Sequence, residues 1–348
     1  MLASPLPVGG DMPLSSSPPR FFLAGEADLA GLAELDPDRQ IEEFGRGERI
    51  WILQTFLRLR RAGAEVELVD RVPASGLLVF HSKQERAVRR GWPAGGRAVL
   101  VGVRADNRQA LSAEFEIVQN GRFADRRTRL LVPHWPQPGL VARDPARGTR
   151  IGRVAYKGFS ANLHPDFAGE RWRRFLAERS IEWAVDATAW EERERAVLTR
   201  RWADYTAIDL LLAVRPRVRK TDFSKPASKL VNAWLAGVPA LLGPEFAFRE
   251  IRRDALDYLE VANVEAAERA VDRLRREPEL YRAMVEHGRR RARELDAAAI
   301  TERWRTLLVE ELPRLAADPA RVRSRGWPLA LRRAARLAAR WLARRPAR

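Results

Sequence analysis

Along most of this chain, short apolar runs rich in β-branched residues alternate with stretches of helical periodicity, in two successive series. That rhythm admits few folds. Strands buried on both faces lose the alternation of a half-exposed sheet, and crossover helices must link them, which predicts parallel α/β sheets. In the first series Phe21–Ala24 reads as a strand. A helix with Ile50, Leu53, Phe56 and Leu57 on one face closes at Gly63, and a strand follows over Val66–Val69. Further runs lie at Gly76–Phe80, Ala98–Val103, Phe115–Val118 and Leu130–Val132, with a helical stretch over 82–90. The connection 133–150 holds four prolines and two glycines and reads as the domain boundary. Beyond it come a strand over Ile151–Tyr156, a Lys157-Gly158 turn, a helix over Pro165–Arg179 and a strand over Ile181–Val185. A helix over Trp190–Ala203, a strand over Ile208–Val214, a helix opening near Lys225, a strand over Val238–Gly243 and a helical region to about 316 complete the series. The expected organisation is a lead-in over 1–19, one Rossmann-like domain over 20–140, a second over 141–316, and a basic tail over 317–348.

Composition removes several classes. The chain has 348 residues, enough for two domains, with 46% hydrophobic and 31% charged residues, as in a folded protein. It has no cysteine, which excludes disulfide scaffolds, thiolate zinc sites and thiol chemistry, and agrees with a cytoplasmic address. No uncharged apolar run reaches the length of a membrane span, and the N-terminal stretch lacks the basic-then-apolar order of a secretory signal. The formal charge is +17, but ten arginines and no acid fall within 321–348, leaving +7 for the rest. Only five of the 63 basic residues are lysines. The Arg, Ala and Leu bias reads as the drift of a high-GC bacterial source, and against it Lys220, Lys225 and Lys229 stand out as a cluster.

Pro226 suits a first helical turn, and Gly237 with Pro239 marks the helix end. At about 100° per residue Lys225, Ser228, Lys229 and Asn232 share one stripe, while Leu230, Val231 and Trp234 occupy the other. A helix start presents free N–H groups and positive dipole potential, so two lysines there point to a phosphate or diphosphate site. The alternative is a solvated basic face. Asn232 lies about 10 Å further along by helical rise, near a sugar or ribose hydroxyl of such a ligand.

Residues 229–242, KLVNAWLAGVPALL, resemble the helix and following strand of the nucleotide-sugar-binding half of GT-B glycosyltransferases. GPEFAFREI, the run from Asp257 to Ala292 and ITERWRTLL are similar to the segments that follow there, and RVAYKGFSANL to the first strand and glycine turn of that domain. ERIWILQTFLRLRRAGAEVELVD is similar to the first helix and strand of the acceptor domain, so the likeness spans about 45–315. It implies two Rossmann-like domains facing across a deep cleft, and transfer of a sugar from a nucleotide-diphosphate sugar to an acceptor held by residues 20–140. It also implies no required cofactor or metal. The leaving diphosphate would be neutralised by Lys225 and Lys229, with Arg215, Lys157 and Gly158 as further phosphate contacts. The paired glutamates of many retaining members align with Ser224 and Asn232 and are missing, so Glu245 or another residue would supply the ribose carboxylate. A nucleotide-sugar epimerase on the same fold, or a non-catalytic GT-B-like binding protein, are the alternatives.

His81 and His134 each follow a predicted strand, and the carboxyl ends of parallel strands line ligand clefts. Both are therefore candidate bases for an acceptor hydroxyl, against the alternative of satisfied structural histidines. Asp36 and Asp38 form a D-x-D pair, but Asp36 as N-cap and Pro37 as first helical residue explain it without a metal. No dinucleotide fingerprint, Walker loop, nucleophile elbow or H-E-x-x-H motif is present. In the tail, Arg332, Arg333, Arg336, Arg340 and Arg344 group opposite Leu331, Ala335, Ala338, Trp341 and Leu342. That wheel describes an interfacial helix on an anionic membrane, consistent with a cell-envelope glycan or lipid-linked acceptor. A nucleic-acid arm and a helix packed on the first domain are the rival readings.

Overall fold

The structure, a computed structural model, describes residues 17–125, 127–188, 197–216, 225–318 and 327–342. The expected lead-in through residue 16, helical residues 190–196, Lys220, Ser224 and Arg344 lie outside the described residues, as do the side chains of Arg340, Trp341 and Leu342.

Two wholly parallel sheets form. In the first, β1 (Arg20–Phe22), β2 (Glu67–Val69), β3 (Leu77–His81), β4 (Val99–Val103), β5 (Phe115–Val118) and β6 (Arg129–Leu131) lie in the order β2-β1-β3-β4-β5-β6. In the second, β7 (Arg153–Phe159), β8 (Glu182–Thr188), β9 (Leu210–Ala213), β10 (Ala240–Leu242) and β11 (Leu259–Glu260) lie in the order β11-β10-β9-β7-β8. Every residue of β3 and β4 is buried, which is why those strands read as unbroken apolar runs. The helix expected from Ile50 is present as a π-helical turn, Arg49–Leu53, running into α-helix over Gln54–Arg61. Gly63, at φ +79°, then reverses the chain, with its N–H on Arg60 O at 3.0 Å and Ala64 N–H on Leu59 O at 3.0 Å.

Three local expectations change. Lys157 and Gly158 are not a turn: β7 continues to Phe159, and Lys157 stands opposite Asp186 of β8. A glycine in the sequence reads as punctuation, but here, at φ +145°, it keeps the strand running beside a close neighbour. The helix expected from Lys225 begins at Ser228, with Pro226 ahead of it and Ala227 at the N-cap. Its end is as expected, with Gly237 in the left-handed region at φ +68°. Asp36 does not cap a helix; its carboxylate takes Asp38 N–H at 2.8 Å and Arg61 at 2.9 Å, while Asp38 holds Arg58 at 2.8 Å.

The expected boundary near 316 also moves. Ile300, Trp304, Leu307, Leu308, Leu312 and Leu315 share a core with Phe21, Phe56 and Val101, so the helices over 297–317 cross back to the first sheet. The tail helix, Leu329–Leu342, covers that sheet's other face, with Leu329 against Phe22, Leu78 and Phe80. Its wheel is reversed relative to the membrane expectation. Arg332 is fully buried and pairs with the buried Glu114, whereas Leu331 and Leu337 are 56% and 48% exposed. Arg332 therefore reaches no lipid headgroup. A buried acid on β5's approach explains the reversal, because an uncompensated carboxylate there costs more than turning two leucines outward.

The two sheets are tied directly. Asn120 Nδ2 donates to Lys225 O at 2.9 Å and Arg122 N to Glu250 Oε1 at 2.6 Å. The Arg122 guanidinium also lies 4.1 Å from the centre of the Phe246 ring.

Candidate functional site

Strand direction alone assembles a cleft. β3 ends at His81, β4 at Val103, β5 at Val118, β7 at Phe159 and β9 at Ala213, and a space of about 550 Å³ opens beyond these carboxyl ends, walled by both halves of the chain. Of the residues singled out from sequence, His81, His134, Lys157, Gly158, Arg215, Lys225, Lys229 and Asn232 all line it.

Lys229 sits on the first turn of the helix Ser228–Ala236. Its Nζ donates to Lys157 O and lies 5.0 Å from the centre of the Tyr156 ring. β7 pairs with β9 only as far as Ala155, so the ammonium occupies the flank of β7 where ladder bonding has stopped. A Cβ on Gly158 would stand 2.6 Å from that Nζ, which is the reason for glycine there. Loss of solvent around the ammonium, with Arg215 nearby, pulls the Lys229 pKa down to about 8. Lys229 is thus a cation held in the cleft with, among the described residues, one hydrogen-bond partner, the Lys157 carbonyl.

Lys225 reaches across the cleft to Asp106, which follows β4. Burial would push the Asp106 carboxyl up, but the Lys225 ammonium more than offsets it and holds the carboxyl below its ordinary value. The preceding Ala105 is buried with φ +50°, a left-handed conformation outside glycine, and it delivers Asp106 to the cleft. Arg215, two residues beyond β9, is gripped by Glu245 Oε2 at 2.7 Å and Asn162 Oδ1 at 2.5 Å.

Three roles expected from sequence are corrected by these contacts. Glu245 does not line the cleft; its buried carboxylate positions Arg215, so it is not placed to accept from a ribose. The Lys157 ammonium is spent on Asp186 at 2.7 Å and the carbonyl of Arg201 at 2.6 Å, which leaves no free charge for a phosphate. Asn232 uses its Oδ1 to take Gln137 N–H at 3.0 Å, pinning the interdomain connection; among the described residues its amide nitrogen has no protein partner.

The two histidines differ in tautomer. His81 Nδ1 accepts from Lys83 N at 3.3 Å, so the ring proton sits on Nε2, which is buried without a partner. Burial lowers the His81 pKa to about 4, so the ring is a neutral donor and has no lone pair to offer a substrate hydroxyl. This removes His81 as a base. His134 is the opposite case. Its Nδ1 is 2.5 Å from Trp135 O and must carry the proton, leaving Nε2 as acceptor, and burial keeps its pKa below the ordinary value. The ring stands edge-on to Trp51, centroids 5.2 Å apart.

Sequence reasoning missed Asp106, Glu48 and Lys83, which line the same cleft. Asp106 was within reach of the rule that found the histidines, since it lies just past a predicted strand. Glu48 carried no comparable signal.

A ligand cleft between the carboxyl ends of two facing parallel sheets defines a two-domain, Rossmann-like α/β protein. Its particular architecture is the GT-B fold, as the resemblance in the sequence implied. HepE of Anabaena, solved in complex with UDP and glucose, matches with a TM-score of 0.51 at 10% identity, over 84% of this chain and 99% of HepE. HepE in complex with UDP gives 0.50 at 13% identity, over 83% and 99%. A mutant of S. aureus TarM in complex with fondaparinux, α-GlcNAc-glycerol and UDP gives 0.47 at 9% identity; the match covers 74% of this chain and 58% of that one, less than two thirds of its length. No protein-family model and no curated protein sequence matches the chain.

Proposed function

We propose that the protein is a glycosyltransferase that moves a sugar from a nucleotide-diphosphate sugar to an acceptor glycan or lipid-linked sugar. The observation that carries this reading is the convergence of Lys225, Lys229 and Arg215 on one interdomain cleft, at the carboxyl ends of the strands of a GT-B fold. Lys229 is charged, desolvated and under-partnered, and a leaving diphosphate supplies the negative charge it lacks. Lys225 exchanges Asp106 for the phosphates, and Arg215, fixed by Glu245 and Asn162, adds a rigid fork. The UDP complexes of HepE make UDP the first nucleotide to test.

His134 is the group we assign as base toward the acceptor hydroxyl, because the residue lines the cleft and its Nδ1 contact with Trp135 O leaves Nε2 as the acceptor nitrogen. Charge neutralisation rests on these basic side chains, without a resident metal, since Asp36 and Asp38 are both engaged by arginines outside the cleft. We place the protein in cytoplasmic synthesis of a bacterial envelope polysaccharide. Membrane contact in this setting would be made by the outward leucines of the tail helix, Leu331 and Leu337, rather than by Arg332.

Thermal shift with UDP, GDP and ADP and their sugars tests the donor site. The expected result is stabilisation by one nucleotide, with its release from the sugar conjugate only when acceptor is added. Isomerisation of the free sugar nucleotide would make the protein an epimerase, and binding without turnover would make it a binding protein.

A further inference from the structure

A second space, of about 920 Å³, lies on the flank of the first sheet between the helix Glu85–Arg90 and the tail helix Leu329–Leu342. Lys83 and Asn107 line both it and the cleft, so the two spaces adjoin near the ends of β3 and β4. Its walls carry Arg86, Arg89, Arg90, Arg108 and Arg333. Many arginines of this chain meet carboxylates, as Arg49 does Glu26, Arg58 Asp38, Arg143 Asp209 and Arg179 Asp272, while, among the described residues, scattered exposed ones such as Arg173, Arg269 and Arg275 do not; what sets the groove apart is that its arginines are gathered on one surface. Among the described residues, none of the five groove arginines has such a partner. Arg333 Nε is buried without a hydrogen bond among the described residues. The one acid on the wall, Glu85, is already engaged, its Oε1 accepting from Ser112 N at 2.7 Å and Ser112 Oγ at 2.8 Å.

Arg89 and Arg90 stand in the last turn of their helix, where cations favour the dipole, and that alone would account for those two. It does not account for Arg108 on a loop, nor for Arg333 arriving on a different helix. Five like charges gathered on one concave surface build a positive potential that attracts a polyanion.

We propose that this groove is the acceptor site, and that the acceptor carries closely spaced acidic groups, phosphates or carboxylates, laid along the arginines with its reacting hydroxyl reaching the cleft past Lys83. The proposal rests on the reading of the cleft as a donor site. Two sources share this chemistry: an acidic oligosaccharide and the diphosphate of a lipid-linked sugar. Contiguity with the cleft favours a substrate over duplex nucleic acid, which has no reason to lead into it.

The test is equilibrium binding to the full-length protein at low salt. The probes are tetragalacturonate, geranyl diphosphate and neutral maltotetraose, with a short DNA duplex as competitor. The comparison is between the exposed pair Arg89→Glu/Arg90→Glu and a charge-matched control on a remote helix, Arg275→Glu/Arg276→Glu. At least one acidic probe is expected to bind and maltotetraose not to. The groove pair should weaken that binding by about tenfold or more, and the control by less than about twofold. Tetragalacturonate responding alone assigns an acidic chain, and geranyl diphosphate alone a lipid-linked diphosphate. Equal losses in the two variants, no binding of either acid, or tighter groove-dependent binding of DNA would each overturn the proposal. UDP affinity is measured on the same samples and should be unchanged in the groove pair. Absence of UDP, GDP and ADP binding to the wild type would sink the donor reading separately, while the acidic-probe comparison still decides whether the groove binds anions.

Discussion

Replacing Lys229 by Met separates what this residue does for the ligand from what it does to the fold. Its ordinary pKa of 10.5 is drawn down to about 8 in the cleft. Keeping it charged at neutral pH therefore costs the folded state about 3 kcal/mol, at about 1.4 kcal/mol per tenfold change. The sign is that of a depressed amine: the penalty is complete below pH 8 and fades as pH rises toward 10.5. At pH 7 roughly nine molecules in ten still carry the charge. Methionine fills similar space, keeps the Tyr156 contact and removes the penalty, so the unliganded variant should be as stable as wild type or more so. Binding should move the other way. A hydrogen bond from a charged donor to phosphate is worth about 1.5–3 kcal/mol, which predicts UDP affinity about ten- to a hundredfold weaker. Isothermal titration at pH 7, paired with thermal melts without ligand, reads both quantities. UDP affinity within about twofold of wild type, with the fold intact, would refute the reasoning.

Gly158→Ala should destabilise the protein by about 1–3 kcal/mol, since φ +145° disfavours any side chain and the new methyl meets Lys229 Nζ; urea unfolding measures this, and an unchanged midpoint would contradict the packing account. Arg332→Met alone should cost about 3–5 kcal/mol by stranding Glu114, while Arg332→Met with Glu114→Leu should recover most of it; a double-mutant cycle in denaturant is the check. His81 has a folded pKa of about 4 against 6.5 unfolded, so the unfolded state takes up its proton first. Stability should therefore fall by up to about 3 kcal/mol as pH drops from 6.5 to 4, and His81→Gln should flatten that part of the curve.

Much of this arrangement was legible before any coordinates. Fully buried parallel strands leave unalternating apolar runs, so β3, β4 and β9 were readable, and carboxyl-end logic then carried His81 and His134 to one cleft, where the resemblance had also put Arg215. What escaped was pairing. Nothing in a linear sequence says that Glu245 faces Arg215, that Lys157 stands opposite Asp186, or that Glu114 waits for Arg332, because those depend on register and on helices returning from far along the chain. The return of residues 297–317 to the first sheet belongs to the same class. Their apolar pattern predicts a buried face without naming the surface that buries it. The glycine at 158 was misjudged for a related reason, since its neighbour, Lys229, comes from another element.

The central claim is that the interdomain cleft receives a nucleotide diphosphate on Lys225 and Lys229. A crystal structure of the protein soaked with UDP, GDP or ADP tests it most directly. The account predicts diphosphate oxygens within hydrogen-bonding distance of Lys229 Nζ, with Lys225 released from Asp106. All three nucleotides failing to occupy that cleft, or one of them bound elsewhere with the Lys225–Asp106 pair intact, would contradict it.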